Sequence, residues 1–359
     1  MIAQLQATYK DKRVFLTGHT GFKGAWMLKI LSLLGAEVRG YALSPEQDFN
    51  LYNLLKGDEL NDSVIADIRD RKSLNKAIVD FQPDFIFHLA AQPLVRLSYQ
   101  QPSETFEINA IGTANVLDGV NCLKKQCQVV LITTDKVYHN QEREYPYKET
   151  DRLGGYDPYS ASKACAELVI DSYRNSFFNP LNYTEHKKAI AVTRAGNVIG
   201  GGDWAVDRLI PDIVRALSQQ NEVIIRNPNA VRPWQHVLEP VMGYLLLGTK
   251  MLEDPILYSD AYNFGPHLND ALPVSTMTDL AIKSWGHGSV KLFNAEKQPH
   301  EAGLLKLDIS KAIAKLGWSP KYNAQTAIDK TIAWYKSHIT HPAEIAYFTE
   351  NQINDFIAL

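Results

Sequence analysis

Arg13-Val14-Phe15-Leu16-Thr17-Gly18-His19-Thr20-Gly21-Phe22-Lys23-Gly24 decides how the rest of the chain is read. Its apolar opening predicts a buried strand. The run breaks on Gly18, Gly21 and Gly24 and gives way to Ala25-Trp26-Met27-Leu28-Lys29-Ile30-Leu31, which predicts a helix. Strand, glycine turn, helix brings backbone N–H groups and a helix N-terminus against a pyrophosphate. Glycine serves where the backbone turns sharply or must approach a ligand closely. The spacing G-x-x-G-x-x-G therefore predicts a dinucleotide site built from residues 18–24.

Working outward, strand and helix alternate. Gly35 ends the first helix. Ala36–Leu43 predicts the second strand and Ser63–Ile68 the third, with Asp67 near its end. An NAD site commonly carries an acid at the end of the second strand. Here Ala42 and Leu43 stand there, and Asp48 lies nearby in a loop. Asp67 and Ile68 are left as candidates for the adenine end. Asp70–Gln82 reads as an amphipathic helix on Leu74, Ile78, Val79 and Phe81, ended by Pro83. Asp84–Ala91 is a near-continuous apolar strand, suited to a sheet covered on both faces. His88 within it reads as a packed, hydrogen-bonded histidine. Ser103–Lys125 predicts a long helix, Gln128–Thr134 a strand, Pro158–Phe178 a helix and Ala189–Arg194 a strand. This alternation predicts an α/β fold with a Rossmann-like doubly wound parallel sheet.

After Asn197 the rhythm changes. Short strands (223–226, 262–264, 290–293) and helices near 209–219, 236–252, 275–285 and 310–316 predict a smaller mixed α/β substrate lobe. The division expected is a dinucleotide domain over 1–197, with a return segment near 233–258, and a lobe with a helical tail over 198–359.

Bulk composition narrows the function. The 359 residues carry a net charge of −3 and are 45% hydrophobic. Neither a nucleic-acid surface nor a polybasic membrane patch is indicated. No apolar run reaches membrane-spanning length, and Met1–Lys12 lacks an apolar signal core. Three cysteines, Cys122, Cys127 and Cys165, make neither a disulfide framework nor a metal site. The expectation is a cytoplasmic protein without a metal.

Tyr159-Ser160-Ala161-Ser162-Lys163 is the second informative stretch. On a helix, positions four apart share a face, so Tyr159 and Lys163 point the same way. An ammonium beside a phenol favours the phenolate, which makes the tyrosine a usable general base.

The glycine loop, His88-Leu89-Ala90-Ala91-Gln92, Asn109-Ala110-Ile111-Gly112-Thr113, Thr133-Thr134-Asp135-Lys136-Val137-Tyr138 and Tyr159–Lys163 together resemble the extended short-chain dehydrogenase/reductase family, over about residues 12–320. The strand end Thr134-Asp135-Lys136 is similar to that of its nucleotide-sugar 4,6-dehydratases, with lysine where several relatives carry glutamate. The resemblance implies NAD as cofactor, held by Gly18 to Gly24, Asp67, Ile68, Leu89, Ala90, Ala91, Thr133, Tyr159 and Lys163. It implies CDP-glucose as substrate, held by Gln92, Arg96, Arg194, Asn197, Leu209, Ile210 and Arg232. It implies an internal redox cycle. Tyr159 is the base at the 4-hydroxyl and Thr134 a hydrogen-bond donor to that oxygen. Asp135 is the acid for the leaving 6-hydroxyl, and Lys136 is the base at C5. A homodimer through a four-helix bundle of Ser103–Lys125 and Pro158–Phe178 is implied too, and a place in deoxyhexose and O-antigen sugar synthesis. Dehydratases of GDP-mannose or dTDP-glucose, a 4-epimerase or 4-reductase, and a non-catalytic dinucleotide-binding regulator remain alternatives at this point.

Overall fold

The computed structural model describes residues 2–45, 49–293 and 302–359; Asp48 lies outside them. Seven parallel strands form the main sheet: β1 Arg13–Thr17, β2 Glu37–Ala42, β3 Asp62–Ile65, β4 Phe85–His88, β5 Cys127–Thr134, β6 Lys188–Ala195 and β7 Ala261–Phe264. Their spatial order is 7-6-5-4-1-2-3. Every residue of β5 and β6 is buried, as expected where helices cover both faces.

Two apolar layers result. Trp26, Leu28 and Ile30 of the helix Phe22–Leu33 (α1) share one face of the sheet with Val241, Leu245 and Trp334. Leu74, Ile78, Val116, Val120 and Ile170 cover the other. β1 is flanked by β2 on one side and by β4 on the other. The winding reverses there, which leaves a crevice at the carboxyl ends of these two strands. Gly18–Gly24 and Leu89–Ala91 both sit at that crevice.

Two sequence expectations are corrected, and the N-terminus adds an element. The segment 262–264, assigned above to the smaller lobe, is instead the outer strand β7, paired in register with Val192–Ala195. The polar N-terminus holds a helix, Ile2–Tyr9, pinned by the buried Tyr9 hydroxyl donating to the Leu245 carbonyl at 2.7 Å. The helix foreseen over 103–125 is broken by a π turn at Glu107–Ile111. Such bulges re-aim side chains, often at functional sites. Here Asn109 donates to Ser162 Oγ at 2.8 Å and accepts from the Gln92 N–H at 2.9 Å.

The smaller lobe is tied back onto the sheet by its tail. Helix Ala324–Thr340 lays Trp334 against Gly201, where a Cβ would come within 1.9 Å of the indole. Trp26 Nε1 donates to the Gly201 carbonyl at 2.9 Å. Among the described residues, no helix is long and apolar enough to cross a membrane.

Candidate active site

Each glycine of the first loop has its own role. Gly18 adopts φ +74°, and a Cβ there would strike the Ala90 nitrogen at 2.7 Å. At Gly24 a Cβ would lie 2.0 Å from the Gly18 carbonyl oxygen. Gly21 differs: its nearest neighbour would be 3.4 Å away, and it is exposed. Gly21 is also the N-cap of α1, and no side chain caps that terminus. An open glycine before an uncapped helix N-terminus fits a dinucleotide pyrophosphate.

The loop's other side chains divide. The His19 ring is fully buried, 2.8 Å from Ser63 Oγ, with its pKa lowered to about 4 by burial. It is a packing group, so only its backbone can face a ligand. Thr20 donates to the Leu43 carbonyl at 2.9 Å. Phe22 and Lys23 line the cleft. Lys23 has its pKa lowered to about 7, by burial and then by Lys163 and Arg208 nearby.

That cleft, about 640 Å³, runs from α1 across the ends of β5 and β6 into the smaller lobe. Thr133, Thr134, Asp135, Lys136 and Tyr159 line its floor. The Thr134 hydroxyl donates to Asp135 Oδ1 at 2.9 Å, while Asp135 Oδ2 is buried without a hydrogen-bond partner. Burial raises the Asp135 carboxyl above the usual carboxylate range, against the opposing pull of Lys136, Thr134 and Arg232. Burial thus favours the protonated form, which can donate. Lys136 reaches over the Tyr159 ring, its Nζ 5.8 Å from the centroid.

Tyr159 lies on the helix Pro158–Ser176 (α2), whose start is well specified. Asp157 caps it, accepting from the Ser160 N–H at 2.9 Å, and Pro158 occupies the first turn. Ser98 Oγ accepts the Tyr159 N–H at 3.1 Å. The expected depression of the Tyr159 pKa is not seen. Burial pushes the phenol up to about 12, although the Thr134 hydroxyl pulls it down. Lys163 instead donates to the Ile132 carbonyl at 3.3 Å, and burial lowers its own pKa to about 8 against the pull of Glu167.

Of the residues assigned to the sugar nucleotide, Arg96, Asn197, Leu209, Ile210 and Arg232 line the cleft. Arg194 does not. It is buried, and its guanidinium bonds Glu167 at 2.8 and 2.9 Å, the Tyr138 hydroxyl at 3.0 Å and the Glu149 carbonyl at 2.9 Å. It lies on a strand buried on both faces, where a charge persists only if paired within the protein. Gln92 is corrected likewise. Its amide closes on the Leu94 carbonyl and Thr105 Oγ1, at 3.1 and 2.9 Å, which shapes the loop before Arg96.

The adenine-end candidates sit outside the cleft lining. Asp67 accepts from the Arg69 guanidinium at 2.6 and 2.9 Å, and Arg69 lowers its pKa. Ile68 packs on Gly112, where a Cβ would meet it at 2.5 Å. The N–H groups of Leu89 and Ala90 donate to Thr17 Oγ1 at 3.1 and 3.2 Å. Ala91 follows them past the end of β4. Thr133 donates to Glu167 at 2.6 Å. His88 is packed as foreseen, 2.7 Å from Thr17 Oγ1 and 3.1 Å from Thr113 Oγ1.

Two cleft arginines escaped the sequence reading. Arg208 donates to Asp203 at 2.8 Å. Arg226, at the end of the short strand Val223–Ile225, reaches Asp207 and Asp212. Arg208 directly precedes the predicted Leu209-Ile210 pair, a signal that adjacency could have supplied. Nothing local marks Arg226. Arg232 donates to the carbonyls of Val231 (2.9 Å), Gly303 (3.3 Å) and Ala302. Pro233, after it, packs against Gly196, where a Cβ would lie 2.5 Å from the ring. Among the described residues, no cluster of His, Cys, Asp and Glu could hold a metal ion.

Phe22 and Lys23 at the start of α1, the Tyr159 phenol and the buried Asp135 carboxyl thus line one cleft with an arginine-rich rim. The family model described as GDP-mannose 4,6 dehydratase matches residues 15–331, and the chain belongs to that family. The chain is also 46% identical over 350 residues to CDP-glucose 4,6-dehydratase of Salmonella typhimurium, covering 98% of this chain and 97% of that one. It is 24% identical over 349 residues to a probable dTDP-glucose 4,6-dehydratase of Sinorhizobium fredii, covering 90% and 92% of the two chains. Among solved structures, dTDP-glucose 4,6-dehydratase of Streptomyces venezuelae, with NAD bound, matches at a TM-score of 0.76. The two are 25% identical, with 92% of this chain and 99% of that one covered.

Proposed function

We propose that this chain is an NAD-dependent hydro-lyase converting CDP-D-glucose to CDP-4-dehydro-6-deoxy-D-glucose and water. The observation that carries the reading is the 46% identity over nearly the whole of both chains. Convergence of Thr134, Asp135, Lys136 and Tyr159 on one cleft supports it.

Gly18–Gly24 and the start of α1 would hold the pyrophosphate of NAD, and Lys163 its nicotinamide ribose. When bound, NAD+ supplies a hydride acceptor for C4, a donor for C6, and a positive ring whose field favours the Tyr159 phenolate. The protein's own groups move the protons. Tyr159 takes the proton of the sugar 4-hydroxyl, and Thr134 donates a hydrogen bond to that oxygen. The resulting 4-ketone acidifies C5–H. Lys136 removes that proton, and Asp135 protonates the leaving 6-hydroxyl, which departs as water. Arg96, Arg208, Arg226 and Arg232 would hold the diphosphate, because guanidinium forks match phosphate oxygens.

Exposed Ile111 and Leu168, on helices at the second face of the sheet, support a homodimer packed through those helices. The setting would be the cytoplasm, and the product would feed deoxyhexose and O-antigen sugars.

Incubation with CDP-, dTDP- and UDP-glucose and with GDP-mannose tests the reading by mass and alkaline absorbance. A 4-keto-6-deoxy product is expected from CDP-glucose alone. Turnover of another nucleotide sugar in its place would refute the substrate. For Lys136, Lys136→Met should still oxidise C4 slowly but no longer admit solvent deuterium at C5; normal exchange would remove the residue from that role.

A further inference from the structure

Asp207 occupies an unusual place on the rim. It sits in the loop between Asp203 and Leu209 at φ +62°, a left-handed conformation. Its side chain, 39% exposed, lines the cleft. Oδ1 lies 2.5 Å from Arg226 Nη1 and 3.7 Å from Arg96 Nε. These arginines come from separate segments, and both line the cleft. Asp212 also reaches Arg226, at 3.7 Å, but it is bonded to Arg215 on its own helix. Among the described residues, Asp207 is therefore a carboxylate that two rim arginines share.

We propose that Asp207 is a built-in counter-ion of the diphosphate subsite, holding Arg96 and Arg226 in place and competing with the ligand's phosphates for them. The proposal rests on the preceding reading, in which those arginines meet a diphosphate. Its physical content is a balance of charges. Both arginines are about three-quarters buried, with side-chain exposures of 26% and 25%, so their charges need a partner. A carboxylate supplies one and prevents the guanidinium groups from repelling each other. The same negative charge opposes an arriving diphosphate, because like charges at this range are only partly screened. Substrate and product carry the same diphosphate. Weakening its grip accelerates product departure, since tuning of affinity falls mainly on the off-rate.

Asp207→Asn is the decisive variant, because asparagine tolerates the left-handed conformation and keeps the side-chain shape. Cytidine diphosphate is titrated calorimetrically into the NAD-loaded wild type and variant at low salt. The variant should bind about tenfold tighter, a gain that a damaged loop would not produce. Inorganic pyrophosphate should show the same direction, and the gain should shrink at high salt. In an Arg226→Gln background, Asp207→Asn should gain less. Equal or weaker binding by Asp207→Asn, with the wild type binding cytidine diphosphate, overturns the counter-ion role alone. A wild type that binds no cytidine diphosphate overturns the substrate reading and this proposal with it.

Discussion

On the cleft floor, Tyr159 stands one helical turn from the buried Lys163 behind it, and Thr134 and Asp135 are consecutive where one strand ends. On the rim, Arg96, Arg208, Arg226 and Arg232 come from separate segments and are held by Asp203, Asp207 and backbone carbonyls. The floor is set by local geometry, in which helix pitch and strand register place the groups. The rim is set largely by long-range packing: Arg96 and Arg226 meet Asp207, and Arg232 meets the Gly303 carbonyl, from distant segments, whereas Arg208 is held by Asp203 of its own loop. The floor is also mostly buried, so burial governs its proton affinities, whereas the rim balances opposite charges in partial contact with water. Chemistry that needs a fixed proton donor suits the first arrangement. Reversible capture of a charged ligand suits the second.

The sharpest way to break this contrast is on the floor. Tyr159→Phe should lower kcat by about 10³-fold, within the range for loss of a general base, while cytidine diphosphate binding stays near wild type. Calorimetry alongside turnover checks both halves, and a binding loss as large as the rate loss would merge floor and rim. Behind the floor, Arg194→Met should cost about 3–5 kcal/mol in urea denaturation, because it strands the Glu167 carboxylate in the buried sheet. If Arg194 held the sugar nucleotide, the main effect would instead be on affinity.

The glycine loop allows a finer cut. Gly24→Ala should destabilise the fold by about 2–4 kcal/mol, since its methyl overlaps the Gly18 carbonyl. Gly21→Ala should leave the melting temperature within a few degrees of wild type and weaken NAD binding. Equal melting shifts in the two variants would remove the distinction between a packing glycine and a ligand-facing one. The smallest effect expected is a pH limb. With Asp135 in the proposed role of acid, the elimination step should slow, by less than tenfold, as pH rises through its raised pKa. Asp135→Asn should be slower throughout and flat over that interval.

Much of the floor was legible because its signals are short-range. The glycine spacing, the four-residue Tyr/Lys interval and the polar strand end each lie within one element. Two local signals still misled. Arg194 lies one residue from the end of β6, beside β5, and a basic residue there resembles a phosphate ligand. Only the burial of that strand and the presence of Glu167 on α2 show that it is an internal ion pair. The Tyr159 pKa failed for a related reason, because helix spacing gives proximity to Lys163 but not desolvation, and desolvation dominates.

The sequence by itself determined the alternation of strands and helices up to β6, the glycine turn after β1 and the polar residues that end β5. Hydrophobic period, glycine placement and residue spacing act over a few residues and leave a readable pattern. Only the tertiary structure decided that Ala261–Phe264 closes the sheet, that Asn109 is re-aimed by a π turn, and that Arg208 and Arg226 face the cleft. Those outcomes depend on contacts between distant segments and on which charges find partners when buried. Neither leaves a local signature in the chain.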